Sequence, residues 1–120
     1  MTNDKYTPYI AGLVKRERQR RFRQQERAER AREVAGRAAS LLRQHYPVKR
    51  VRLFGSVLYP ERFHEHSDID LAVEGLPDKS YLRAWALVNG PGLDFEINLI
   101  TPEECRPAIW ASVEQEGIDL

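Results

Sequence analysis

Two acidic residues near the middle of the chain stand where their side chains could do chemistry. In Ser67-Asp68-Ile69-Asp70-Leu71 they lie two positions apart at the head of an apolar, β-type run, Ile69 to Val73. Side chains alternate faces along a strand, so Asp68 and Asp70 project to the same side with Cα atoms roughly 6.5 Å apart. Carboxylates that close repel each other unless a cation lies between them, and Mg²⁺ binds through one or two carboxylates plus substrate phosphates. Upstream, a second β-type run, Val51 to Phe54, is followed by Gly55-Ser56. Glycine permits a sharp bend and a close approach to a ligand, and the surrounding backbone N–H groups with the Ser56 hydroxyl can bind phosphate oxygens. If the two strands are neighbours, phosphate donors face metal ligands, the geometry that holds a metal-bound nucleoside triphosphate.

Each half alone is common by chance, since Gly-Ser after a strand is usually only a turn. The joint pattern is more specific: an apolar strand, Gly-Ser, the eleven residues Val57 to Ser67, Asp-x-Asp, and a second apolar strand. With these motifs most of residues 30 to 120 resembles the DNA-polymerase-β-like nucleotidyltransferase superfamily, in particular its minimal nucleotidyltransferases. The resemblance implies an α/β fold with a small mixed β-sheet flanked by helices. It implies two Mg²⁺ ions on Asp68, Asp70 and a third carboxylate from a neighbouring strand. Phe95-Glu96-Ile97-Asn98 matches that third slot, giving the role to Glu96, with Asp94 as the alternate. Gly55 and Ser56 would hold the phosphates of an NTP, ATP by preference. Minimal relatives pair with a helical HEPN-type partner, a toxin, and act as its antitoxin by transferring AMP to a hydroxyl of that partner. The chain departs from the pattern at Val57-Leu58-Tyr59-Pro60, where many relatives carry Arg-x-x-Gly. That departure and the Glu in the third slot leave an alternative, a decayed subunit that neutralises or regulates its partner by binding only.

The elements that must position these residues follow from periodicity. Met1 to Tyr9 has no sustained period and is expected to be an extended or disordered lead-in. Ile10 to His45 reads as one helix ended by Pro47, supported by Glu26/Arg30 and Glu33/Arg37 at i,i+4 spacing. Ala28, Ala31, Val34/Ala35, Ala38, Leu41/Leu42 and Tyr46 form its apolar stripe, so residues 28–120 make up the folded domain and 1–27 a lead-in and projecting basic arm. Lys79 to Val88 is predicted helical with Tyr81, Leu82, Trp85 and Val88 toward the core. Asp94 to Ile100 alternates as a third strand, with Phe95, Ile97 and Leu99 on one face and Asp94, Glu96 and Asn98 on the other. Pro102 to Glu116 reads as a last helix capped by Thr101, with Ile109, Trp110 and Val113 inward.

Composition bounds the rest. A chain of 120 residues suits one small domain, its single Cys105 excludes a disulfide framework, and no apolar run approaches the roughly 20 residues of a membrane span. With no export pattern, a reducing, cytoplasmic setting is expected. The net charge of +1 divides into +9 over residues 1–50 and −8 over residues 51–120. The basic helix reads first as a solvated, charge-rich face, and otherwise as an arm for a protein partner or for self-association into a homo-oligomer. Nucleic acid is not expected, because only Phe22 interrupts the arginines and base stacking has little support. His64-Glu65-His66 lacks a third strong ligand and reads as solvated.

Overall fold

The computed structural model describes residues 5–120. Its first element, helix α1 (Thr7–His45), is a 39-residue rod with Pro8 in its first turn. It begins three residues before the expected Ile10, because Pro8 supplies a helical φ where no N–H partner is needed. The remainder of the expected lead-in, residues 1–4, lies outside the described residues. A rod of this length spans about 58 Å, and the molecule measures 69 × 32 × 18 Å.

Four strands form one mixed sheet: β1 (Arg50–Phe54), β2 (Ile69–Glu74), β3 (Ile97–Ile100) and β4 (Ile118–Asp119), in the order β3-β2-β1-β4. β1 runs antiparallel to β2 and β4, and β2 runs parallel to β3. Odd-numbered residues of β1 to β3, among them Val51, Leu53, Ile69, Leu71, Val73, Ile97 and Leu99, are buried against the alanine stripe of α1 (Ala28, Ala31, Ala35, Ala38, Ala39) and Leu42. Small residues there let the helix lie close to the sheet, as the expected stripe required.

The opposite face carries polar groups. Arg52 is fully buried on it, paired with Glu74 at 2.8 Å and Glu114 at 3.3 Å and stacked on Trp110 at 5.4 Å. These contacts fix helix α3 (Pro107–Glu116), whose Val113 is buried.

Three expectations about these elements need correction. The last helix starts at Pro107, not Pro102: a helix through both would drive the Pro107 ring into the Glu103 carbonyl, and the residue before a proline avoids helical geometry. Arg106 accordingly has ψ 140 and Thr101 caps nothing. Ile109 is exposed on that helix. Helix α2 (Tyr81–Val88) turns Ala84 and Val88 inward, with the Tyr81 hydroxyl donating to the Leu99 carbonyl at 2.7 Å. Leu82 and Trp85, expected inside, point outward at 76% and 38% exposure. Strand β4 was not foreseen; at two residues it is too short to leave a periodic signal.

Candidate active site

The hairpin between β1 and β2 builds the site. Its register sets Phe54 opposite Asp70, so the end of β1 and the start of β2 share one edge, on the sheet face away from α1. Gly55 follows with φ 89 and ψ −156, a conformation essentially confined to glycine. A Cβ there would lie 2.5 Å from Asp70 Oδ2. The glycine is therefore required twice, by its backbone and by the carboxylate packed against it.

Ser56–Leu58 then forms a short 3-10 turn, and a second one spans Pro60–Arg62. Val57 and Phe63 are fully buried and anchor the connecting loop at both ends. At the departure from Arg-x-x-Gly, Val57 packs into the core and offers no cation. A guanidinium does stand in the same loop, Arg62, stacked on the Tyr59 ring at 4.7 Å.

Asp68 and Asp70 project to one side, as their spacing required. They converge on one donor, the Asn98 side-chain amide, whose Nδ2 lies 3.3 Å from Asp68 Oδ2 and 3.2 Å from Asp70 Oδ1. The parallel register that pairs Asp70 with Asn98 puts it there. Burial holds the Asp70 carboxyl above its ordinary pKa, an effect partly offset by the Asn98 amide and reinforced by the Asp68 charge. Two hard oxygen ligands gathered on a hydrogen-bond donor, one of them poorly solvated, are the donor set a divalent cation satisfies.

The parallel register that pairs Ile69 with Ile97 carries Glu96 alongside Asp68, with its side chain exposed, whereas Asp94 lies further back. Glu96 is exposed one position before β3, and its backbone carbonyl accepts from the Ile69 N–H at 2.9 Å. Asp94 is exposed in the preceding turn. Among the described residues no three His, Cys, Asp or Glu side chains converge as a metal-binding group. Asn98 is the residue that sequence reasoning passed over. Alternation had already placed it on the face of Glu96, but only the register between strands sets Asn98 opposite Asp70 and Glu96 beside Asp68.

Of the histidines, His64 has its ring Nδ1 3.3 Å from Gln24 Nε2 of α1, and its backbone N–H donates to Ser67 Oγ at 2.8 Å, which closes the loop just before Asp68.

Comparison with known proteins agrees with this architecture. Residues 36–119 match the family model of the nucleotidyltransferase domain. A solved structure described as a toxin-antitoxin with AMP-PNP is 25% identical, with a TM-score of 0.56 over 68% of this chain and 67% of that one. A search of curated proteins returns no match. Among the described residues no helix is long and apolar enough to cross a membrane.

Proposed function

Because the chain belongs to the nucleotidyltransferase domain family, we propose that it transfers a nucleoside monophosphate, AMP by preference, from a Mg²⁺-bound NTP to a hydroxyl of a partner protein. The partner proposed is a HEPN-type helical toxin, with this chain as its antitoxin. One observation carries the reading: the Asp68/Asp70 pair faces a turn where Gly55 leaves no room for a side chain. The similarity to a toxin-antitoxin structure with AMP-PNP supports the choice of partner and of nucleotide.

Asp68 and Asp70 would hold the cation, which when bound neutralises triphosphate charge and lowers the pKa of an acceptor hydroxyl. Gly55 and Ser56 would orient the β- and γ-phosphates through the N–H groups of the turn and the Ser56 hydroxyl, placing donors where charge builds on the departing pyrophosphate. Asn98 would keep both aspartates aimed at one point. Glu96, exposed beside the start of β3, is the carboxylate assigned to accept the hydroxyl proton, with Asp94 as the alternate.

A second reading is favoured by Asn98 itself. A neutral amide bridges the two aspartates, as expected of a decayed subunit that neutralises or regulates its partner by binding only. Transfer of label from α-³²P NTPs to the co-expressed neighbouring gene product, run beside calorimetry of Mg²⁺-ATP binding, separates the two. The transfer reading expects labelled partner, lost in Asp68→Asn and Asp70→Asn. Nucleotide binding with no label in the native chain, and label appearing in Asn98→Asp, would establish the second.

A further inference from the structure

The inner face of α1 continues past the point where the domain ends. Its buried residues Ala28, Ala31, Ala35, Ala38 and Leu42 step by three and four, and the same steps run back through Gln24, Arg20 and Glu17 to Leu13 and Ile10. In the C-terminal half this stripe lies on the sheet. In the N-terminal half none of the described residues covers it: Tyr9, Ile10, Leu13 and Val14 are between 44% and 64% exposed, side by side on the projecting rod.

The domain's last hold on the rod is at Gln24 and Arg27. Arg27 donates to the Glu65 carbonyl at 2.7 Å and stacks on Phe95 at 4.5 Å, and Gln24 meets His64. Beyond them the rod and the loop before Asp68 enclose a notch. Its corner is a cavity of about 740 Å³ whose walls include Arg20, Arg23, Arg27, His64 and His66. Residues 5–27 carry eight Lys/Arg against two Glu.

We propose that this notch docks an acidic, amphipathic helical segment of the acceptor protein. The apolar side of that segment would cover Ile10, Leu13 and their neighbours, and its carboxylates would meet Arg16 and Arg23, Arg20 being held by Glu17 at 2.6 Å. A helix seated there runs toward His66, which lines the corner of the notch. The proposal rests on the protein-acceptor reading for the identity of the docked molecule. Charge complementarity selects the occupant. Two arms of this chain laid side by side would oppose eight cations with eight, and a nucleic acid would leave the apolar stripe uncovered.

The test is fluorescence anisotropy of the full chain with a labelled peptide of about 18 residues, long enough for a marginal helix in water. The peptide carries Leu at i, i+3, i+4 and i+7 and Glu on the remaining face. Saturable binding is expected, weakened about tenfold or more by Leu13→Asp and by Ile10→Asp, by Leu13→Gln, which keeps helix propensity, and by Arg23→Glu. Asp68→Asn should bind the peptide as the native chain does, so failure of transfer with intact docking overturns the function reading alone. Three results would overturn the docking proposal: equal binding of a scrambled peptide of the same composition, a dimer in sedimentation that Leu13→Asp dissociates, or a single-stranded oligonucleotide that displaces the peptide.

Discussion

Replacing Asn98 with Asp exchanges the one donor between Asp68 and Asp70 for a third carboxylate while keeping the side-chain shape. Two hydrogen bonds, at 3.3 and 3.2 Å, are lost, and at those lengths together they contribute about 1 kcal/mol. Two new like-charge contacts replace them; at roughly 4–5 Å and an effective dielectric between that of a protein surface and bulk water, each costs about 2 kcal/mol. The electrostatic part is capped near 4 kcal/mol at pH 7, because beyond that the group takes up a proton instead. Asn98→Asp should therefore destabilise the chain by roughly 3–5 kcal/mol in chelator-treated buffer, against about 1 kcal/mol for Asn98→Ala. Urea unfolding followed by circular dichroism reads this as a fall in midpoint at constant slope. Added Mg²⁺ should stabilise each variant that keeps Asp68 and Asp70, and Asn98→Asp most, because a third carboxylate tightens the site; a cation bound only to the folded state at a hundredfold its Kd contributes about 2.7 kcal/mol. Equal losses in the two variants, with no recovery by Mg²⁺, would refute the reading of this cluster as a cation site.

Gly55→Ala should cost about 1–3 kcal/mol from backbone strain alone and displace Asp70, abolishing Mg²⁺-ATP binding in calorimetry. Adding Asp70→Ala should recover only the part due to the 2.5 Å collision, which a double-mutant cycle isolates. Since burial raises the Asp70 carboxyl, the folded chain binds more protons than the unfolded one between the two pKa values, and its stability falls as pH rises through that window. Asp70→Asn should therefore be the more stable protein in metal-free buffer at neutral pH, with an advantage that shrinks as pH falls through the raised value; a constant or growing advantage in parallel thermal melts would contradict this. Arg52→Met keeps the apolar stem but loses the ion pairs to Glu74 and Glu114 and the stacking on Trp110, so it should cost about 1–3 kcal/mol and red-shift Trp110 emission as α3 loosens, with Mg²⁺-ATP affinity unchanged.

What the sequence determined by itself was whatever depends on neighbours along the chain. Alternation put Asp68 and Asp70 on one side, Gly55-Ser56 marked the turn after β1, and the three- and four-residue steps from Ala28 to Leu42 identified the face of α1 that covers the sheet. The start of the last helix was also written locally, in Pro107, although Thr101-Pro102 offers a competing start signal that the rigid Arg106-Pro107 step overrules. What only the tertiary structure decided depends on which segments meet. The pairing of β2 with β3 set Asn98, and not Glu96, opposite Asp70, because a parallel register is fixed by the packing of both strands under α1 and leaves no trace in either strand alone. The rotation of α2 was decided likewise: Ala84 fits the narrow space over the sheet, and the larger Leu82 and Trp85 are left outside. The exposed stripe from Tyr9 to Val14 is apolar by sequence, but that it stands uncovered follows from where the domain ends, a fact of three dimensions.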